Sequence, residues 1–309
     1  MWRSLALALL ALSCATPTGE RELRRTGDEI VVCGRLFHTG ARVVTWLDAG
    51  GFDAYRGHRH RQPDKIEARD REGAARYGTR RRNLPDDVAA RVHARGWELA
   101  DLQQVVSQVV VHYDAAGTSA QCFKILHDLR GLSAHFLIDV DGTIYQTLDC
   151  KERAWHAGSA NDRSVGIEIA QIGAYPDETT LAKWYAFKQG RPALELPAWV
   201  SRGELPEGTY EPARPGVIRG AIHGAELVQF DYTDAQYEAL AGLLAALAEV
   251  FPRVALDTPR DEAGAVVAGL VEDIAAFEGI VGHYHLTKSK IDPGPAFDWA
   301  RVLKEARAR

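Results

Sequence analysis

Near the C-terminus the apolar stretch Gly279-Ile280-Val281-Gly282 runs straight into His283-Tyr284-His285, and Lys290-Ile291-Asp292-Pro293-Gly294-Pro295 follows. A buried segment that ends in histidine delivers an imidazole to a fixed place. Nine residues after His283, Asp292 enters a Pro-Gly-Pro turn. Each proline there fixes its own φ and restricts the residue before it, so the turn is stiff enough to hold a carboxylate in place. An imidazole and a carboxylate are two ligands of a hydrolytic zinc site. The best candidate for a third is His112, which ends the valine-rich run from Gln104 to Val111. That run has the composition of a buried strand. Polar residues at strand ends face the crevice where α/β folds place their sites, so two such ends side by side would bring His112 and His283 together.

The remaining periodicity alternates between strand and helix. Ala134 to Asp139 and Thr143 to Leu148 read as strands joined through Asp141-Gly142, a hairpin signal, and Val165 to Ala170 reads as another buried strand. Thr118-Ser119-Ala120-Gln121 and Thr233-Asp234-Ala235-Gln236 have the form of capping boxes. The first opens a helix striped by Phe123, Ile125, Leu126 and Leu129 and closed by Gly131. The second opens a helix through Leu240, Leu243, Leu244 and Leu247 that ends near Phe251-Pro252. The pattern predicts an α/β chain with a mixed central β-sheet flanked by helices and a small N-terminal β-containing extension. In that extension, residues 16–100, Ile30-Val31-Val32 and Ala41 to Trp46 predict a hairpin turning at His38-Thr39-Gly40. Arg56 to Arg82 carries ten Lys or Arg against four Asp or Glu and reads as a solvated basic linker. Within the main domain, residues 101–309, the segment of about 174–232 holds six prolines and reads as an irregular surface insertion. Its Trp184, Tyr185, Trp199 and Tyr210 read as a small core of its own before they read as a stacking platform.

Several of these blocks, taken in order, carry a resemblance. They are Val109-Val110-Val111-His112-Tyr113, Ser133-Ala134-His135-Phe136-Leu137-Ile138, Asp141-Gly142-Thr143-Ile144-Tyr145-Gln146, Arg153-Ala154-Trp155-His156-Ala157-Gly158, Ser164-Val165-Gly166-Ile167-Glu168 and the stretch Gly282 to Trp299. Together they resemble the zinc-dependent N-acetylmuramoyl-L-alanine amidases, a family shared with phage lysozyme-type amidases and peptidoglycan recognition proteins. The match is to the bacterial branch with a His, His, Asp metal set. The resemblance implies that His112, His283 and Asp292 are zinc ligands, that Glu168 is the catalytic acid/base, and that Lys290 faces the developing oxyanion. Trp155 and His156, on the loop before Glu168, are expected to line the substrate groove. His135 reads as structural, and His285 is the nearest rival of His283 for the metal. There are two departures. The spacing from His283 to Asp292 is one residue shorter than the family's usual one, and the 174–232 insertion lies between the glutamate block and the next helix. The implied reaction is zinc-dependent hydrolysis of the amide between N-acetylmuramic acid and L-alanine in peptidoglycan or muropeptides. The alternatives are a non-catalytic recognition module, whose inactive members have usually lost a zinc ligand kept here, and a zinc amidase for another amide.

The first residues point to export. Met1-Trp2-Arg3-Ser4 is a short cationic start, Leu5 to Leu12 is unbroken leucine and alanine, and Ser13-Cys14-Ala15 precedes a polar stretch. Residues 1–15 thus have the three parts of a signal peptide, with an apolar run too short to span a bilayer. Leu12-Ser13-Cys14 resembles a lipoprotein processing site with Cys14 as the lipidated residue. Cleavage after Ala15 is the competing reading. The expected location is the periplasm or cell envelope, with a lipid anchor to the membrane if Cys14 is modified. The other cysteines, Cys33, Cys122 and Cys150, offer one pairing, Cys122 with Cys150, or remain buried thiols. A net charge of −5 over 309 residues gives no basic field for nucleic acid. The expected partners are therefore peptidoglycan or muropeptides, and the expected state is a monomer. Cys14→Ser should change membrane association, which cell fractionation and the mass of the mature N-terminus would show. A soluble mature protein starting at Thr16 would reject the anchor while leaving export intact.

Overall fold

The computed structural model describes residues 25–56 and 75–309. Residues 1–24, where the signal peptide and the lipidated Cys14 are expected, and residues 57–74 of the basic segment lie outside the described residues. Strands β1 (Glu29–Val32) and β2 (Arg35–His38) form the first hairpin. It turns at Cys33-Gly34, with φ of 50° and 68°, and not at His38-Thr39-Gly40. Two positive φ values suit the twist of a two-residue hairpin, but they strain a non-glycine residue. Asp149 offsets that strain, because its carboxylate accepts the Cys33 and Gly34 N–H groups at 2.8 Å each. The expected second arm, β3 (Val43–Thr45), leaves the hairpin and joins the central sheet instead.

Strand β4 (Tyr77–Thr79) comes from the end of the basic segment. The reading of that end as solvated linker is corrected here, because Arg76 and Arg80 are fully buried. The Arg80 guanidinium donates to the carbonyls of Asn161, Asp162, Ser164 and Cys150 at 3.0–3.1 Å. These carbonyls satisfy the two terminal nitrogens of the fork, which is what lets the group be buried. Burial pushes the Arg80 pKa down to about 10.

The chain continues through α1 (Asp86–Arg95), α2 (Leu99–Val105), β5 (Gln108–Tyr113) and α3 (Ser119–Phe123). Helix α3 runs on as a π-helical segment, Lys124–Leu129. Thr118 caps α3 by accepting from the Gln121 N–H, but the Gln121 side chain accepts from the Ser201 N–H, so the first capping box is half made. Then come β6 (Phe136–Ile138), β7 (Ile144–Gln146), β8 (Glu152–Ala154) and β9 (Ser164–Ile169). The proline-rich insertion is not irregular. It forms two hairpins, β10 (Tyr185–Lys188) with β11 (Arg191–Leu194) and β12 (Ile218–Ile222) with β13 (Ala225–Gln229). It also has its own cluster of Ile172, Leu181, Trp184, Val200, Val228 and Phe230. Trp184 packs edge-on against Trp199, which is largely exposed. Helix α4 (Asp234–Val250), β14 (Gly279–Gly282), the single turn α5 (His283–Leu286) and α6 (Trp299–Arg307) complete the chain. The second capping box is complete: Thr233 Oγ1 accepts from the Gln236 N–H and Gln236 Oε1 from the Thr233 N–H.

The central sheet has the order β14-β5-β9-β6-β7-β3. Strands β14, β5, β9 and β6 run parallel, and β7 is antiparallel to β6. Side chains alternate between its faces with period two. Val109, Val111, Val165, Ile167 and Ile280 join Leu240, Leu243, Leu244 and Leu247 of α4 in the main core. Val110 and Val281 point the other way, into a small cluster with Ala157 and Ala160. His112 and Glu168 share that second face by the same alternation. Cys122 and Cys150 are both free thiols, buried in different clusters, so the pairing between them is not made.

Leu244 is fully buried at the centre of the α4–sheet interface. Leu244→Ala should cost about 2–5 kcal/mol in chemical denaturation, the usual range for a buried leucine replaced without collapse of the cavity.

Candidate metal centre and active site

Three neighbouring parallel strands present the site. In the register of β5 with β9, His112 sits directly opposite Glu168. In the register of β14 with β5, Gly282 sits opposite Val111, so the next residue, His283, emerges beside His112. Partners in a parallel ladder point to the same face, so all three side chains project to the side away from α4. Asp292 then returns on the loop after α5, where its carbonyl accepts from the Tyr284 N–H at 3.2 Å. The nine-residue spacing between His283 and Asp292 thus brings the carboxylate to both imidazoles.

The three atoms that meet are His112 Nδ1, His283 Nδ1 and Asp292 Oδ2. The two nitrogens are 3.0 Å apart and lie 2.8 and 3.0 Å from the oxygen. All three residues are buried. Three mutual contacts of this length cannot all be hydrogen bonds. If each Nδ1 carries a proton for Asp292, the two N–H groups confront each other. If one does not, its contact with the carboxylate joins two lone pairs. A cation between the three atoms removes the conflict. Two imidazoles and a carboxylate suit a divalent metal of the zinc type and leave a fourth position for water. Burial would push the Asp292 pKa up, but hydrogen bonds from His112 and His283 outweigh it and hold the carboxylate below its usual range. Burial, reinforced by the neighbouring His283, pushes the His112 pKa down to about 4, which favours the neutral imidazole a metal needs.

The other histidines sort by their partners. His285 is fully buried, with Nδ1 accepting the Gly282 N–H at 2.9 Å and Nε2 donating to the Val267 carbonyl at 2.7 Å. Both ring nitrogens are used, so it is a structural brace of α5 and no rival of His283. His135 is also structural: Nδ1 accepts from the Gly166 N–H at 3.0 Å and Nε2 donates to the Glu152 carbonyl at 3.1 Å. His156 touches His112 directly, with His112 Nε2 and His156 Nδ1 3.0 Å apart. Burial pushes the His156 pKa well down, helped by the neighbouring His112.

A pocket of about 450 Å³ opens beside His112, His283 and Asp292. Glu168, Lys290, Trp155 and His156 all line it, as do Asp114, Arg130 and Asn161. Burial raises the Glu168 pKa well above the normal carboxylate range, and Asp292 and Asp114 add to the effect while Lys290 opposes it. A carboxyl group tuned upward in a pocket is suited to taking up and returning protons. Asp114 and His223 were not singled out by the sequence. Asp114 Oδ1 accepts the N–H groups of Ala116, Gly117 and Gln171, and burial pushes its pKa up to about 7. The signal was there for Asp114, in the Asp-Ala-Ala-Gly turn just after His112. His223 donates from Nε2 to the Lys290 carbonyl at 2.9 Å, a contact across 67 residues that no local pattern announces.

The chain belongs to the N-acetylmuramoyl-L-alanine amidase family, whose model matches residues 102–295. It is 28% identical over 179 residues to the 1,6-anhydro-N-acetylmuramyl-L-alanine amidase AmpD of Escherichia coli, an alignment covering 55% of this chain and 56% of that protein. It is 25% identical over 194 residues to AmpD of Haemophilus influenzae, covering 60% and 64%. The chain thus spans a little over half the length of the curated relatives it matches. Among solved structures, the complex of the amidase AmiD from E. coli with anhydro-N-acetylmuramic acid-L-Ala-D-γ-Glu-L-Lys is 18% identical, with 65% of this chain and 57% of that chain covered and a TM-score of 0.37.

Titration of the metal-free protein with zinc should show one site per chain in the wild type and none in His112→Ala. His285→Ala should keep the site but lose about 1–3 kcal/mol of stability, since it leaves two buried backbone groups unpaired. Loss of metal in His285→Ala together with its retention in His283→Ala would exchange the roles of the two histidines.

Proposed function

We propose that this chain is an exported zinc amidase that cuts the amide between the lactyl group of N-acetylmuramic acid and the L-alanine of the stem peptide. The observation that carries the reading is the convergence of His112, His283 and Asp292 at one point of a pocket that also holds Glu168 and Lys290. Family membership supports the bond, and the names of the AmpD relatives support a muropeptide with a 1,6-anhydro sugar as the first substrate to try. The signal-like N-terminus supports action in the cell envelope.

Zinc held by the three ligands would supply Lewis acidity, which brings water within reach of ionisation near neutral pH. In this reading Glu168, which lines the same pocket, takes the proton as the water oxygen bonds to the carbonyl carbon. It then returns that proton to the departing nitrogen as the C–N bond breaks, so one group serves as base and acid. Lys290 brings a positive charge to the same pocket, where it stabilises the negative charge developing on the carbonyl oxygen. Its main chain is pinned by His223, which limits where the ammonium can reach. Trp155 is a wall for the sugar or the peptide. A recognition module needs none of this proton machinery, and retention of Glu168 beside the ligands favours turnover.

Glu168→Gln should lower kcat about 10²- to 10⁴-fold while zinc content stays at that of the wild type. Lys290→Ala should lower it about 10²- to 10³-fold, again with metal retained. The measurement is release of free stem peptide from anhydro-muropeptide, followed by mass spectrometry. Zinc-loaded wild type that releases none from anhydro-muropeptide, reducing muropeptide or intact sacculi would end the enzyme reading.

A further inference from the structure

We infer that His156 is a positioning residue that fixes the tautomer and ring orientation of the ligand His112. The inference rests on the reading of His112 as a zinc ligand. His112 Nδ1 faces His283 and Asp292, so it must offer a lone pair to the metal, and the ring proton must sit on Nε2. That Nε2–H points at His156 Nδ1, 3.0 Å away. His156 Nδ1 must then be the acceptor, which places its own proton on Nε2. There Ser164 Oγ lies 3.3 Å away and takes it. A single arrangement of protons therefore runs from the metal site through two imidazoles to a buried serine.

The sequence is built around this chain of contacts. A Cβ on Gly166 would come within 2.6–2.7 Å of three His156 ring atoms, so the strand leaves out a side chain where the ring lies. His135 accepts the Gly166 N–H at 3.0 Å, which anchors that stretch of strand from its other side. The Asn161 side chain accepts the N–H groups of His156 and Ala157, at 3.2 and 2.6 Å, and so fixes the main chain that carries the ring. His156 lines the pocket as well, but both its ring nitrogens are committed inward. A substrate therefore meets the ring and not a free nitrogen. Partners of this kind typically change metal affinity by 10- to 100-fold when removed.

The test is zinc affinity by competition with a chelator, measured beside the thermal stability of the metal-free protein. His156→Leu cannot accept the His112 proton and should weaken zinc binding about 10- to 100-fold. His156→Asn places an amide oxygen where Nδ1 was and should restore most of that loss. Both variants empty part of the space against Gly166, so a merely structural role would lower the two together. Equal zinc affinity in wild type and His156→Leu, or equal losses in Leu and Asn variants, would overturn the inference. If His156→Leu does not fold, the zinc-loaded wild type labelled with ¹⁵N gives the answer. A proton on His112 Nε2, coupled through its hydrogen bond to His156 Nδ1, is required, and a proton-free His112 Nε2 refutes it. Wild type that binds no zinc at all would instead remove the metal reading on which this one stands.

Discussion

The site depends on one register. His112 stands opposite Glu168 because β5 and β9 pair in parallel from Gln108 with Ser164 onward. A slip of one residue would turn His112 into the α4 core and bring Val111 or Tyr113 out in its place. The slip is prevented by the other face, where Val109, Val111, Val165 and Ile167 fill the main core with the leucines of α4. Burial of apolar side chains at about 25 cal/mol per Å² is far too costly to give up for a shifted ladder. The hydrophobic pattern of one face thus sets the geometry of the polar groups on the other.

Those polar groups are expensive where they stand. His112, His283, Asp292 and Glu168 are buried close together, and Asp114 sits near them with one carboxylate oxygen that has no partner among the described residues. Without a counter-charge this cluster lowers stability, because buried ionisable groups pay for desolvation unless paired. The protein answers in two ways. Asp292 is pushed below its usual pKa range by His112 and His283, whereas burial pushes Glu168 and Asp114 upward. Carboxyl groups pushed in opposite directions within one pocket are what a metal ligand and a proton carrier respectively require.

The convergence of His112, His283 and Asp292 was legible because each ends an apolar run or enters a proline turn, and such signals are local, whereas Glu168, inside the apolar run Val165 to Ala170, stood out only through the family resemblance. Helix α4 was legible for the same reason, through its period and its cap. What stayed hidden was set at long range. The turn at Cys33-Gly34 is stable only because Asp149, more than a hundred residues on, accepts both strained N–H groups. Arg80 looked like part of a solvated basic run, and its burial is decided by carbonyls of residues 150–164. The hairpin partner of β1 was misplaced because β3 is equally β-rich, and only tertiary pairing with β7 separates the two arms. His156 was read as a groove residue from its position before Glu168, and its contact with His112 needed the fold to bring its loop against β5.

The insertion shows how far such long-range effects reach. Read as a surface appendage, it is tied to the loop that carries Asp292 at several points. Gln229 at the end of β13 donates to the Pro293 carbonyl at 3.1 Å and accepts from the Ala296 N–H at 3.0 Å. The Tyr232 hydroxyl donates to the same Pro293 carbonyl at 2.8 Å. Gly294 has φ +87°, and a Cβ there would lie 2.2 Å from Gln229 Oε1, so glycine is required both by the backbone and by the approach of that amide. A Cβ on Gly220 in β12 would touch Pro295 at 3.0 Å. His223, in the turn between β12 and β13, holds the carbonyl of Lys290. The hairpin β12–β13 therefore grips the loop on both sides of Asp292. Proline alone stiffens that turn locally, but its position relative to His112 and His283 is fixed by side chains from a segment that lies between Glu168 and α4 in the chain. Removing the insertion would leave His112, His283 and Asp292 in the sequence and take away the support that aims Asp292.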